Sequence, residues 1–343
     1  MKFNDWLGLL SLIISLVILW QFRQILLLVF TAAVLATALN SLVRSLVRKF
    51  NLSRGKSIPI AVVGVLLAST LLVIFIIPPF VDQFQELIKL IPVGFERLVV
   101  WVNSFIENPP SWFPEFDLEL LPNFSEITQQ LGSLAPQVFS NFFTFFSNST
   151  AILLQLLLVL VLTLMFLAEP LAYRHLLLQL LPSSYRGRAE EIISKSEVGL
   201  LAWLKGVSIN SLFVAILCGV GLLVLRIPFV FAHAILAGVF NFIPNIGPIL
   251  SAVFPVAVAL LHSPGKAIAV VIWYIIVQNL ESYWFSPLVM KKQVNLLPAA
   301  TLIAQIFFAT FLGFLGLILA LPLAVVVKTW AEEVLIKDFL DNK

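Results

Sequence analysis

Long apolar runs separated by short polar connections dominate this 343-residue chain. The hydrocarbon core of a bilayer is about 30 Å thick and is crossed by about 20 helical residues. The candidate spans are residues 6–22, 25–42, 58–77, 152–168, 206–225, 267–278 and 302–327, and an interrupted apolar zone covers residues 227–261. The pattern predicts an all-α, polytopic integral membrane protein with about eight transmembrane helices and broken or re-entrant segments.

The interrupted zone cannot be one ordinary span. A single helix over residues 227–261 would be about 52 Å long, far more than the hydrocarbon core. Two full spans with a turn would need about 44 residues. The zone therefore predicts two short or partial helices that meet near residues 241–248, where the sequence reads Asn-Phe-Ile-Pro-Asn-Ile-Gly-Pro.

The residue types at this predicted break suit a polar interruption of a membrane helix. Pro244 and Pro248 lack a backbone N–H and clash with the preceding turn. Gly247 permits backbone angles that other residues resist, and Asn241 and Asn245 place amides beside the break. Lipid cannot satisfy freed backbone groups, so such a break requires protein or a water-filled cavity around it. The alternative is a tight interhelical turn at a membrane face, with the asparagines as caps.

A second break is predicted in the last span. Residues 311–319 echo residues 242–250, and each stretch is followed by a proline, Pro322 or Pro255. Paired breaks in two halves of a chain are typical of secondary transporters, whose broken helices aim polar ends at a central site. Gly313 and Gly316 would form this second break, or they would serve close helix packing.

Ionisable groups near the apolar runs are few, and each is a candidate functional group because burying its charge is costly. Glu281 is the leading candidate, since the polar residues Gln278 and Asn279 precede it. We expect these three residues to line a substrate or ion path together with the residues of the two predicted breaks, which are Asn241, Pro244, Asn245, Gly247, Pro248, Gly313 and Gly316. Glu169, at the end of the fourth span, and His233, in the interrupted zone, are weaker candidates. The alternatives are an interfacial position for the two acids and a helix-packing role for the histidine.

Amphipathic helical repeats predict that residues 78–150 form an extracytoplasmic helical insertion. Apolar residues recur at helical spacing over residues 80–91, 95–105 and 127–138, and a proline- and acid-rich loop separates the last two repeats. The apolar faces could contact lipid, other helices of the same chain or a second subunit.

Charge sets the predicted orientation. Residues 44–56 hold five basic and no acidic residues, and a second basic connection follows the fourth span. Residues 78–150 hold two basic and eight acidic residues. The positive-inside rule then places both basic connections in the cytoplasm. We expect a multi-pass protein of a bacterial inner membrane with both termini cytoplasmic.

These elements divide the chain into five predicted segments. They are residues 1–77 with three spans and the basic loop 43–57, the outer insertion 78–150, residues 151–205 with the fourth span and a cytoplasmic loop, the bundle 206–330 with its break at 241–248, and the cytoplasmic tail 331–343.

Composition excludes most other classes. Hydrophobic residues make up 60% of the chain and charged residues 11%, against about 25% charged in soluble domains. The basic residues are scattered over short loops, so we expect no nucleic-acid partner. The single cysteine, Cys218, forms no metal pattern, and we expect neither a metal nor another cofactor. The chain has no phosphate-binding Gly-x-x-x-x-Gly-Lys-Ser/Thr pattern and no intramembrane protease pattern, so we expect no enzyme. A channel and a non-transporting scaffold remain alternatives.

The C-terminal part of the sequence resembles the autoinducer-2 exporter family of bacterial membrane permeases. The matching stretches are residues 241–250, 278–281, 287–291 with Val294, 297–298 and 313–322. The resemblance implies about eight spans and secondary transport, with export of autoinducer-2 in some members and sodium- or lithium-for-proton exchange in others. This chain has Asn245 where members commonly carry tyrosine, and Glu169 where many carry aspartate.

The expected function is therefore secondary transport of a small polar solute, such as autoinducer-2, driven by an ion gradient. Sodium- or lithium-for-proton exchange is the alternative. The expected partners are the lipid bilayer, a small polar solute or cation, and a second copy of the chain in a homo-oligomer.

Overall fold

Helices form every regular element in the part of the chain that the computed structural model describes, which is residues 17–107, 149–289 and 297–334 with Leu10 and Ile14. The helices are α1 (Arg23–Phe50), α2 (Arg54–Glu107), α3 (Ser149–Ala168), α4 (Pro170–Gln179), α5 (Arg186–Val224), α6 (Val230–Phe240), α7 (Ile246–His262), α8 (Pro264–Asn279), α9 (Ser286–Val289), α10 (Pro298–Ile318) and α11 (Ala320–Trp330). A 3₁₀ turn at Ser183–Tyr185 precedes α5, and a π-helical turn at Leu280–Phe285 joins α8 to α9.

Five of the described helical stretches are long and apolar enough to cross a membrane, and a bent pair makes a sixth candidate. The bent pair consists of α3 and α4, which turn by 91° at Glu169. The prediction of an all-α polytopic membrane protein is confirmed. Most of the predicted first span, residues 6–22, lies outside the described residues, as do the predicted loop 108–122 and helix 127–138 and most of the tail.

The interrupted zone contains two short apolar helices, as the sequence predicts. Helix α6 has 11 residues and α7 has 17, which correspond to lengths of about 16 Å and 25 Å. Neither reaches the length expected of a full span.

Helix α2 differs from the sequence prediction. We expected a span over residues 58–77 followed by separate outer helices, but the backbone stays helical for 54 residues, about 81 Å. Pro78 and Pro79 lie inside it. Prolines are tolerated in membrane helices where neighbouring groups satisfy the freed carbonyls, so a proline pair is a weaker stop signal here than in a soluble protein.

Contacts divide the chain into two compact units that interleave along the sequence. Unit 1 contains Met1–Leu66, Thr150–Lys205 and Lys292–Lys343, and unit 2 contains Leu67–Ser149 and Gly206–Lys291. The five segments predicted from the sequence concern position relative to a membrane, which contacts between helices do not test.

Among the described residues, unit 1 is held by small apolar clusters and by an ionic cluster around the buried Glu333. The apolar clusters join α1 to α3 through Leu28, Ala32 and Val159, and α1 to α2 and α3 through Val43, Ala61 and Leu167. In the ionic cluster, the buried Glu333 carboxylate accepts from Arg188 and Lys195, which also contact Glu191. Hydrogen bonds from Lys195 and Arg188 lower the pKa of Glu191.

Unit 2 has the larger apolar core. Phe84 and Leu87 of α2 are buried in it together with residues of α5, α6, α7 and α8. The Phe84 ring lies 6.1 Å from the Phe254 ring, and the Gln83 side chain accepts from the Ala232 backbone N–H at 3.1 Å. The first amphipathic repeat of the predicted insertion therefore packs on helices of its own chain.

Candidate functional site

The break between α6 and α7 is a compact turn of five residues with a strained centre. The Ile246 N–H donates to the Pro244 carbonyl at 2.8 Å, and Asn245 between them has φ 65° and ψ −46°. A turn closed over three residues with positive φ is the rare, strained type of γ-turn. Asparagine tolerates positive φ better than most residues, which gives a conformational reason for Asn245 at this position.

Gly247 lets the two short helices approach each other closely. A β-carbon at this position would collide with the carbonyl of Phe240, the last residue of α6. The Gly247 N–H donates to the Ile243 carbonyl at 2.8 Å. The Pro248 carbonyl accepts from the Ser251 hydroxyl at 2.9 Å. Several backbone groups that the prolines could have left unpaired therefore have partners inside the turn.

Small residues place the break at a defined level along α5. A β-carbon on Gly238 of α6 would lie 3.0 Å from the Ala215 side chain and 3.1 Å from the Ser211 carbonyl oxygen. A β-carbon on Gly219 would lie 3.2 Å from Ala234. The two helices are thus antiparallel, and the break, three residues beyond Gly238, lies near the level of Asn210 and Ser211.

The segment that contains Glu281, which follows α8, reaches the same level of α5. The Trp273 indole N–H of α8 donates to the Leu217 carbonyl at 3.1 Å. Two turns further along, the Asn210 amide donates to the Glu281 carboxylate at 2.6 Å and contacts the Ser286 hydroxyl at 3.1 Å. Unit 2 therefore brings the Asn-Pro-Gly break and Glu281 to one level of α5.

Glu281 lies in the π-helical turn, which widens the backbone between α8 and α9. Such turns are rare and occur often at functional sites. The carboxylate accepts from Asn210 and from the Ser282 hydroxyl, the latter at 3.2 Å. Both donors are neutral, and Glu281 forms no ion pair within the described residues. A half-buried carboxylate without a counter-ion gains from taking up a proton or a small cation.

Asn210 and two polar residues close in sequence to Asn210 or Glu281 retain hydrogen-bonding capacity. Asn210 and Ser211 are buried, and the Asn210 Oδ1 and Ser211 Oγ atoms have no partner in the described structure. The Nε2 atom of Gln278, one turn before Glu281, is also buried without a partner. Buried polar atoms are normally paired, so this cluster offers both donors and acceptors to a polar solute.

The other predicted site residues of unit 2 differ in burial and in hydrogen-bond partners. Asn279 is exposed, and its amide bonds to the Ile275 carbonyl of its own helix at 2.7 Å. Asn245 is exposed, whereas Asn241 is buried at the end of α6. His233 is fully buried, with neither ring nitrogen partnered in the described structure, and it lies two turns before the break.

Three predicted residues belong to unit 1 rather than to this cluster. Gly313 has φ 69° and ψ −154°, which interrupts α10 as the sequence predicts. A β-carbon on Gly316 would collide with the Phe308 carbonyl and the Leu312 side chain. Glu169 precedes α4 at the 91° bend.

Asn210 and Ser211 were not among the site residues predicted from the sequence. A consecutive polar pair within the apolar run 206–225 was the available signal. Single amides and hydroxyls are common at membrane helix interfaces, where they serve helix packing. The contact with Glu281 is what distinguishes Asn210 from such packing residues.

The strained turn makes a prediction about Asn245. Asn245→Ala is expected to destabilise the protein by about 1–2 kcal/mol, because alanine resists positive φ. Asn245→Gly should keep the stability of the unchanged protein within about 0.5 kcal/mol. Thermal unfolding in detergent measures both. Equal destabilisation by both variants would mean that the amide, and not the backbone angle, holds the turn. If the Asn245 amide also lines a transport path, Asn245→Gly should lower the flux per folded molecule, because it removes the amide and keeps the backbone angle.

Comparison with known proteins gives a consistent set of relatives. A family model described as "AI-2E family transporter" matches residues 9–336. The chain is 32% identical over 223 residues to "Putative transport protein YueF" of Bacillus subtilis, covering 64% of this chain and 60% of that protein. It is 30% identical over 110 residues to "AI-2 transport protein TqsA" of Escherichia coli, covering 32% of each. Both alignments span less than two thirds of the relative.

A longer but more distant alignment joins the chain to "Sodium-lithium/proton antiporter" of Halobacillus andaensis. The two are 25% identical over 314 residues, which is 88% of this chain and 87% of the antiporter. The names of these two relatives thus refer to different transported species, AI-2 in TqsA and sodium, lithium and protons in the antiporter.

Proposed function

This chain belongs to the AI-2E transporter family, and we propose that it is a secondary transporter of a small polar solute. The proposed binding site is the polar cluster of unit 2, which consists of Asn210, Ser211, Gln278, Glu281 and Ser286. One observation carries the proposal. The Glu281 carboxylate is held by the Asn210 amide, without a counter-ion among the described residues, at the same level of α5 as the strained break. A carboxylate in such surroundings is a functional group by default in a membrane protein.

The cluster has the chemistry that coupled transport requires. A proton or a small cation on Glu281 removes the cost of a buried charge. The same event changes what the Asn210 amide and the nearby hydroxyls can bind, because a protonated carboxyl donates a hydrogen bond whereas a carboxylate only accepts. Occupancy by the ion and by the solute are therefore linked through shared hydrogen bonds. The driving force is an ion gradient in this proposal, and the solute is autoinducer-2 or a molecule of similar polarity.

Exchange of sodium or lithium for protons is a second candidate function. The observation that favours it is the set of oxygen atoms around Asn210, which comprises the Glu281 carboxylate, the Asn210 amide oxygen and the Ser286 hydroxyl. Oxygen donors are the ligands that hard cations prefer. The similarity to the antiporter of Halobacillus andaensis also supports cation-for-proton exchange.

We propose an orientation in a bacterial inner membrane with both termini in the cytoplasm. The charge asymmetry between residues 44–56 and 78–150 supports it. Single cysteines introduced into a Cys218→Ala background would test it. Residue 115 is expected to react with an impermeant thiol reagent in intact cells, and residue 51 only after permeabilisation. The reverse pattern would overturn the orientation.

A matched pair of amides tests the site. Asn210→Ala is expected to lower flux per folded molecule by about tenfold or more, because it removes the charge-assisted bond to Glu281. Asn279→Ala is the control. Asn279 is an amide two residues before Glu281, but its described hydrogen bond goes to the Ile275 carbonyl of its own helix. The measurement is uptake of sodium, lithium or autoinducer-2 into proteoliposomes under an imposed pH gradient. Equal flux in the two variants would contradict the assignment.

A further inference from the structure

Unit 1 contains a cavity of about 820 Å³ that the proposed transport site does not use. Its walls come from α1, the first residue of α2, the bend between α3 and α4, the first part of α5, and α11. Along α1, the lining changes from apolar at Phe30 and Ala33 to polar at Asn40 and Arg44. The distance from residue 30 to residue 44 along a helix is about 21 Å. The cavity is thus elongated and has an apolar end and a charged end.

Most charges at the polar end neutralise one another. Arg44 contacts Glu197 at 2.6 Å, and Arg174 lies 3.9 Å from Glu197 and 3.7 Å from Glu190. These pairs leave little net charge for a ligand. Glu190 does not line the cavity, whereas the other three residues do.

One cation and one anion of the lining stand outside these pairs. The Arg54 guanidinium donates to two neutral oxygens, the Asn40 amide oxygen at 3.0 Å and the Leu167 carbonyl at 3.3 Å. Glu169 is exposed and forms no ion pair within the described residues. Because Glu169 follows Leu167 by two residues, their Cα atoms are at most about 7 Å apart. The cavity therefore presents a positive and a negative group on the same end of α3.

We propose that this cavity binds a phospholipid with a zwitterionic phosphoethanolamine headgroup, with the phosphate at Arg54, the ammonium at Glu169 and one acyl chain along α1 towards Phe30. A guanidinium has five donors in a fork that suits phosphate, and Arg54 uses only one nitrogen for its two described bonds. A primary ammonium supplies three donors to the carboxylate.

The dimensions and the position along the chain favour a lipid over a soluble zwitterion. Half of the hydrocarbon core measures about 15 Å, which the 21 Å path along α1 can hold together with part of a headgroup. The charged end adjoins the basic connection at residues 44–56, where the positive-inside rule places the membrane surface. An anionic lipid without an ammonium group would leave Glu169 unpaired beside a negative headgroup.

Native mass spectrometry of the full-length protein in mild detergent tests the proposal. The probes are dioleoyl-phosphatidylethanolamine, dioleoyl-phosphatidylglycerol and soluble glycerophosphoethanolamine. The unchanged protein is expected to retain the ethanolamine lipid over the glycerol lipid by about tenfold, and to bind the soluble headgroup far more weakly than the lipid. Glu169→Gln should abolish this preference, because it removes the partner of the ammonium and nearly keeps the shape.

Two further variants make the test specific. Glu332→Gln is the control, since this glutamate is in unit 1 but does not line the cavity and pairs with Lys328, four residues earlier, at 3.3 Å. It should retain the preference. Ala33→Phe narrows the apolar end and should reduce lipid retention while the headgroup preference of any remaining lipid persists.

Three outcomes would overturn the proposal. They are equal retention of the two lipids by the unchanged protein, an undiminished preference in Glu169→Gln, and binding of the soluble headgroup as tight as that of the lipid. Folding of each variant is monitored by thermal unfolding, so a lost preference in a folded Glu169→Gln protein reports on binding. Lipid retention is measured without a transport assay and at residues outside the transport cluster, so its outcome is distinguishable from that of the flux experiments.

Discussion

Gly247→Leu is expected to remove most of the folded protein. The β-carbon of any substituted residue would collide with the Phe240 carbonyl, and this neighbour is backbone at the end of α6, so it cannot turn away as a side chain could. Overpacking of well-packed positions commonly costs about 1–3 kcal/mol, and we expect a value at or above the top of that range. Gly247→Ala should already destabilise the protein.

The measurement for Gly247 is the yield and thermal stability of the purified protein in detergent. Gly265→Leu is the matched control, because Gly265 lies in the same unit and a β-carbon there would meet no atom within 4 Å. A Gly247→Leu protein as stable as the Gly265→Leu protein would contradict the structure of the break. This result concerns the fold alone, since a tight turn requires the glycine whether or not it lines a transport path.

Glu281→Gln is expected to abolish coupling between solute flux and the ion gradient. Glutamine nearly keeps the shape of glutamate but cannot take up a proton or hold a cation by charge. Gradient-driven flux should fall by about two orders of magnitude, the effect of losing a charged hydrogen-bonded group that the rate-limiting state requires. Downhill exchange of solute should fall much less, because the Asn210 amide and the nearby hydroxyls remain.

Glu281→Asp is the matched variant for this prediction. Aspartate keeps the charge but shortens the side chain by one methylene group, which lengthens the 2.6 Å contact with Asn210. Partial coupling is therefore expected. Loss of coupling in Glu281→Asp equal to that in Glu281→Gln would show that geometry matters as much as charge. Full coupling in Glu281→Gln would remove Glu281 from the mechanism.

The break in the interrupted zone could be predicted from the sequence because its signal is local. Two prolines, a glycine and a length of 35 residues are incompatible with one helix or with two full spans, and the structure has two short helices there. The interruption at Gly313 was predicted from the likeness of residues 311–319 to residues 242–250 and from the proline that follows each stretch. The strained γ-turn at Asn245 could not be predicted, because asparagine beside proline is compatible with several turn types.

The contact between Asn210 and Glu281 depends on long-range packing and left no clear signal in the sequence. Residue 210 and residue 281 meet because α8 packs along α5, as the hydrogen bond from Trp273 to Leu217 shows. The pattern of a single sequence does not determine which of several polar residues in apolar runs will meet. The continuity of α2 through Pro78 was missed for a different reason, since proline statistics from soluble helices do not hold in membranes.

Coupled flux in proteoliposomes tests the central claim most directly. Purified protein, Glu281→Gln and empty liposomes receive the same outward proton gradient, and entry of sodium, lithium or labelled autoinducer-2 is measured together with internal pH. The account predicts that entry of at least one of the three depends on the gradient and changes internal pH in the unchanged protein, and that both effects are lost in a folded Glu281→Gln protein. Gradient-driven entry that is equal in the two proteins, or entry of all three no faster than in empty liposomes, would contradict it.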